Sequence, residues 1–197
     1  MPQGTSEDCY CDRGITRVSQ GDILRELDIT INSKISGYAD FSLAPSFSYG
    51  VVLSQECDVE QHFKLIEENK SKPEVEQEHD QLVETLLFCP AFPLESFLLG
   101  QHLGEQIKMS NFDGPKGQEK ARKKIKNNDQ YNRFHYLPAL KDNFSELVVD
   151  FKRFYTIPIE IFDGNFKKFY ITSIKDLFRE RLSQRFTNYL ARIGLPE

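Results

Sequence analysis

Gly50-Val51-Val52-Leu53-Ser54 is a short apolar run closed by a glycine and a serine, the form of a buried strand. Upstream, Gly21-Asp22-Ile23-Leu24 opens ordered structure, and Asp28-Ile29-Thr30-Ile31-Asn32 alternates with the period of a strand. A Ser-, Pro- and Gly-rich connection, residues 33–50, joins the two. Downstream, residues 82–89 form the next strand, ended by Pro90 and Pro93. Residues 133–137 read as a strand stopping at Pro138, and residues 147–151 as a further apolar run. Pro158 makes residues 154–162 an edge or bent strand, because proline cannot donate to a ladder. Asp163-Gly164-Asn165 then predicts a hairpin turn into residues 166–171.

Helical signals are fewer. Residues 94–100 predict a short helix and residues 118–127 a basic one. At the end, Ser173 is an N-cap with Asp176 three residues on, a variant of the capping box. Ile174, Leu177, Phe178, Leu182, Phe186, Leu190 and Ile193 share one helical face, and Gly194 with Pro196 supplies the stop. Strands outnumber helices and do not alternate with them, which excludes a doubly wound parallel sheet. The expected class is α+β, mainly β: a small antiparallel barrel or sheet with insertions and a C-terminal amphipathic helix over about residues 174–193.

With 197 residues the chain is sized for a single domain, expected at 17–197 behind a flexible leader at 1–16. A charged fraction of 28% together with 12% aromatics excludes overall disorder. No apolar run approaches the roughly 18 residues of a membrane helix, and the polar start has no signal-peptide h-region. A cytoplasmic protein with no membrane partner is expected. Cys9, Cys11, Cys57 and Cys89 lack paired C-x-x-C knuckles, so they read as independent reduced thiols rather than a zinc site. His62, His79, His102 and His135 show no metal-ligand spacing, and His79-Asp80 is an isolated pair. No phosphate loop, dinucleotide fingerprint, H-E-x-x-H or G-x-S-x-G occurs, and no cofactor or metal is implied.

The modest net charge of -5 conceals a dipole. Residues 56–84 carry ten acids and three lysines, most of them around an expected acidic loop at 67–80. Residues 116–192 carry seventeen bases and nine acids. A basic insertion at 114–130 concentrates Lys116, Lys120, Arg122, Lys123, Lys124 and Lys126, a cluster able to track phosphates by releasing counterions. A solvated face is the competing reading of the same residues.

Two constellations carry chemistry. In Asn132-Arg133-Phe134-His135-Tyr136-Leu137, alternation places Arg133 and His135 on one face. That pair suits RNA cleavage by proton transfer and charge stabilisation without a metal; alternatively it is a solvent-facing stripe over an aromatic core. Ser54-Gln55-Glu56-Cys57-Asp58 follows a strand end, where site residues gather. There Cys57 is a candidate nucleophile with His62 or His135 as base. Glu56 and Asp58 oppose a thiolate, which favours a turn with Cys57 buried and Ser54 and Asp58 bonding backbone amides.

Gly21-Asp22-Ile23-Leu24 followed by Tyr49-Gly50-Val51-Val52-Leu53-Ser54 resembles the opening of MazF/PemK-type toxin barrels, over about the first 55 residues. In that family a G-D-I/V strand and an R-P-x-x-V-L-S strand begin a small SH3-like barrel. Here Tyr49-Gly50 stands where the family has Arg-Pro, and Cys89-Pro90-Ala91-Phe92-Pro93 echoes its Ala-Pro-x-Thr without the threonine. The resemblance implies an SH3-like barrel and an RNA-directed module of prokaryotic toxin–antitoxin or phage-defence type, with metal-independent endoribonuclease activity as its sharpest form. The alternative is a non-catalytic adaptor docking a protein partner through the acidic loop or the barrel.

Overall fold

The computed structural model describes residues 9–14, 16–29, 31–33, 41–43, 45–72, 80–103, 114–128 and 131–191. Its main sheet has eight strands: β1 (Tyr10–Cys11), β2 (Asp22–Asp28), β5 (Ser46–Val52), β6 (Thr85–Pro93), β7 (Phe134–Leu137), β8 (Leu147–Asp150), β9 (Tyr155–Pro158) and β10 (Tyr170–Ile174). Their order is β1-β10-β2-β5-β6-β8-β7, with β9 also on β6, and every pair is antiparallel. A separate ribbon pairs β3 (Ile31–Ser33) with β4 (Phe41–Leu43). Among the described residues the sheet is an open path from β1 to β7.

Strand pairing explains the motifs. Ile23 lies opposite Val51 and Leu24 opposite Gly50, so the two apolar runs form one ladder. Successive residues point to opposite faces, which sends Ile23 and Val51 into one core and Leu24 and Val52 into another. Gly50 is required by its neighbour: a Cβ there would lie 2.0 Å from Cζ of the fully buried Phe88. Gly21 holds φ +82 where the chain enters β2.

β6 meets β5 along one edge and two strands along the other. Ala91 pairs with Val149 of β8, and Phe88 with Tyr155 of β9. β8 and β9 therefore form one line, interrupted by a 3-10 turn at Phe151–Arg153. Pro90 sits opposite this break. The Leu87 carbonyl accepts from Leu53 on the β5 side, so by alternation the donor that Pro90 lacks would have faced the interruption. A proline thus survives within a central strand without costing a ladder bond.

Among the described residues five α-helices of four residues or more cover the two faces. On one side α5 (Asp176–Leu190) buries Leu182 and Phe186 with Val51, Leu137, Val149 and Phe151. On the other, α1 (Glu56–Asn69), a 3-10 turn (Ile159–Phe162) and α4 (Phe166–Phe169) pack with Leu24, Val52, Leu86 and Phe88. Beside them α2 (Leu94–Leu98) and α3 (Gly114–Lys126) pack with Phe134, Tyr136 and Val148. Among the described residues no helix is long and apolar enough to cross a membrane.

Several expectations are corrected. The leader is partly ordered: Cys9 and Tyr10 are buried, and β1 pairs with β10. Residues 56–69 are a helix, not a turn. Residues 166–169 are helical, with the strand beginning at Tyr170. Ser173 is not a cap; it lies in β10, and α5 begins at Asp176 without a side-chain cap. Ile174 is therefore a strand residue, while Leu177 and Leu190 are exposed at 67% and 54%. Half of the acidic loop, residues 73–79 with His79, lies outside the described residues, as do Ile193, Gly194 and Pro196.

Candidate functional site

The basic insertion forms α3. Ala121 and Ile125, one turn apart, bury themselves among Phe97, Phe134 and Tyr136 and fix which way the helix faces. Lys116, Lys120, Lys123 and Lys124, at i, i+4, i+7 and i+8, consequently share the outer face. Lys116, Lys120 and Lys123 are exposed, and the Lys124 ammonium stands 5.7 Å from the Tyr131 ring centroid. The other two bases are partly exposed and each pairs with a carboxylate. Arg122 forks onto Glu95 of α2, with Nη2 donating to Oε2 at 2.7 Å, and this contact holds the Glu95 carboxyl below its usual range. Lys126 lies 2.5 Å from Glu146. The Lys123–Glu119 pair, at 3.0 Å on the exposed surface, is worth little.

The predicted Arg133–His135 pair is split. Arg133 precedes β7 and donates from Nε and Nη2 to the two oxygens of Asp150 at 2.7 and 2.6 Å. Asp150 is fully buried; its Oδ1 also accepts from the Lys152 amide, capping the 3-10 turn. Arg153 lies 3.7 Å from Asp150, beyond hydrogen-bond reach. His135 is neither surface stripe nor accessible acid. It is buried at 7% exposure, beside Phe151, with Nδ1 unpartnered among the described residues. Burial, reinforced by Arg185 and Arg181 of α5, lowers its pKa to about 3. A ring so held is neutral and walled off from substrate.

The strand-end site is also reassigned. The Ser54 hydroxyl accepts from the Leu87 amide at 2.7 Å, extending the β5–β6 pairing. Cys57 is exposed, not buried, in the first turn of α1, with Sγ 3.4 Å from the carboxylate of exposed Asp58. Neither proposed base reaches it among the described residues: His62 Nδ1 accepts from the Val83 amide at 3.1 Å, and His135 lies in the core facing α5. Cys9, Cys11 and Cys89 are free as well, and burial pushes Cys9 up to about 12. Among the described residues no three His, Cys, Asp or Glu side chains converge as a metal site would require.

Two polar centres escape sequence reasoning. Asp22, fully buried, accepts from Arg13 Nε at 3.0 Å and Nη2 at 2.5 Å, the Ser19 amide at 2.7 Å and the Ser173 hydroxyl at 2.6 Å. Burial pushes its carboxyl up while these donors pull it down; with four donors around it, Asp22 is a carboxylate. Its partners lie far apart in sequence, and the only signal is an acid opening an apolar strand. His102, just after α2, is the second. Its ring stacks on Phe97 at 4.3 Å and lies 4.9 Å from Phe92. Among the described residues both its buried nitrogens have no hydrogen-bond partner, and burial with nearby Arg153 lowers its pKa to about 4.

Compared with known proteins, the chain matches no family model, no curated protein and no solved structure.

Proposed function

We propose that the protein is an RNA-associating module whose contact surface is the outer face of α3. The observation that carries this is the sorting of charge on that helix. Arg122 and Lys126 are paired with Glu95 and Glu146, while exposed Lys116, Lys120 and Lys123 (the last 3.0 Å from Glu119) and half-buried Lys124 form one stripe on the outer face. A row of lysines beside the Tyr131 ring suits a flexible phosphate backbone with stacking bases. Proton transfer by His135 is not part of the proposal, because burial keeps that ring neutral.

The fold lends support to the toxin-type resemblance. What supports it is the antiparallel run β10-β2-β5-β6-β9 within the open sheet, with the 3-10 turn Ile159–Phe162 between β9 and β10. Leu24, Phe47, Val52, Phe88 and Ile157 from this path share one core.

The test is binding of a short fluorescent RNA to the wild type and to Lys120→Glu/Lys124→Glu. Charge reversal at two phosphate-tracking positions should weaken binding at low salt by about tenfold or more. Equal affinity in both proteins removes the proposal.

A further inference from the structure

The interruption between β8 and β9 gathers three cations around one carboxylate, and among the described side chains only Arg133 is hydrogen-bonded to it. Its turn presents exposed Lys152 and one-third-exposed Arg153, and Arg133 reaches the same place from the start of β7. Among the described residues the carboxylate there, Asp150, accepts the Arg133 fork and the Lys152 amide. Among the described residues the Arg153 guanidinium makes no hydrogen bond, and its Nε stays 3.7 Å from Asp150. Three cations thus surround one buried anion. Arginine donors left unspent at a partly exposed position are suited to bidentate capture of an oxyanion. An interrupted strand is also a common device for re-aiming side chains beside a site.

The surroundings give the place a wall. The Arg133 guanidinium carbon lies 5.0 Å from the Phe134 ring centroid, Phe134 meets Phe97 at 4.9 Å, and Phe97 carries the stacked His102. Among the described residues the buried His102 nitrogens have no hydrogen-bond partner, and Arg153, Asp150 and Arg133 act on this ring electrostatically. Phe134 also packs on Tyr131 at 5.7 Å, the ring under Lys124, which links the place to the outer face of α3.

We propose that Arg153, with Arg133 and Lys152 around the β8–β9 interruption, forms a discrete phosphate-binding site. The phosphate belongs either to an RNA backbone, in which case the site rests on the function proposed above and extends the α3 track, or to a free phosphate compound. Asp150 contributes by fixing Arg133 rather than by touching the ligand.

The test titrates the intact protein with inorganic phosphate by calorimetry, and separately with a short RNA. Wild type, Arg153→Ala, Arg153→Lys and Lys120→Glu/Lys124→Glu are compared after confirming equal thermal midpoints. Phosphate should bind the wild type, weaken about tenfold in Arg153→Ala, recover partly in Arg153→Lys and be unaffected by the α3 variant. RNA affinity falling in both Arg153→Ala and the α3 variant identifies a backbone phosphate. Phosphate binding lost in Arg153→Ala with RNA affinity unchanged identifies a free phosphate compound, whatever α3 does. No phosphate binding by the wild type, or equal binding by Arg153→Ala, overturns the site.

Discussion

Arg133 and Asp150 meet through two parallel hydrogen bonds of 2.7 and 2.6 Å, and the carboxylate end of the pair is fully buried. The pair joins the start of β7 to the last residue of β8 and holds the turn at which the sheet changes partner from β8 to β9. Removing the guanidinium strands a buried carboxylate with one remaining amide donor. Arg133→Ala should therefore lower stability by about 2–3 kcal/mol, less than a fully buried pair because Arg133 is partly exposed. Asp150→Asn/Arg133→Leu should be milder than the single change, since no buried charge remains. Urea denaturation measures both; a cost below about 0.5 kcal/mol for Arg133→Ala removes this role.

His135 and His102, both depressed by burial, predict how stability responds to acid. His135 falls to about 3 and His102 to about 4 in the folded protein, against an ordinary value near 6.5 when unfolded. Between these limits the unfolded chain binds more protons, so their contribution is complete above pH 6.5 and is lost as pH falls towards 4 and 3. Each group adds a slope of up to about 1.4 kcal/mol per pH unit. His135→Gln should flatten the stability profile between pH 6 and 4 by about one such increment. Parallel profiles for wild type and His135→Gln would show that His135 is not buried neutral.

The Gly50 backbone lies against the Phe88 ring across the β5–β6 ladder. Alanine at 50 puts a methyl 2.0, 2.4 and 2.8 Å from three atoms of the Phe88 ring, which must leave its place in the core. Gly50→Ala should cost about 3 kcal/mol, the upper range for overpacking. Gly50→Ala/Phe88→Leu should cost less than the two single changes added together, because the smaller side chain makes room. Strict additivity in thermal or urea unfolding would contradict the contact.

What was legible in the sequence follows from where its information is local. Val51-Val52-Leu53 and Ile23-Leu24 read as strands because continuous apolar pairs can only serve two buried faces, which α5 on one side and α1 on the other supply. The basic helix was legible in outline, and Ala121 and Ile125 decide which of its lysines face out. α1 escapes the sequence because its buried stripe Val59, His62, Leu65 is carried in part by a histidine, although Glu56 and Asp58 suit its first turn. α5 was placed too early because Ser173 looks like a cap, whereas Asp22, more than a hundred residues away, claims its hydroxyl. Leu177 and Leu190 fit the helical period yet stay exposed, since the sheet reaches only the middle of the helix. Asp22 and Asp150 resemble turn acids in sequence, and only the arginines brought beside them by strand pairing make them core residues.

The most direct test of the central claim is the salt dependence of RNA affinity for the wild type and for Lys116→Ala/Lys120→Ala/Lys123→Ala/Lys124→Ala. For single-stranded RNA each phosphate neutralised contributes roughly 0.7 to the slope of log K against log salt. If the outer face of α3 tracks the backbone, the variant should bind more weakly at low salt and show a slope shallower by about 2–3. A variant that keeps both the wild-type affinity and the wild-type slope would contradict an RNA-contacting role for this helix.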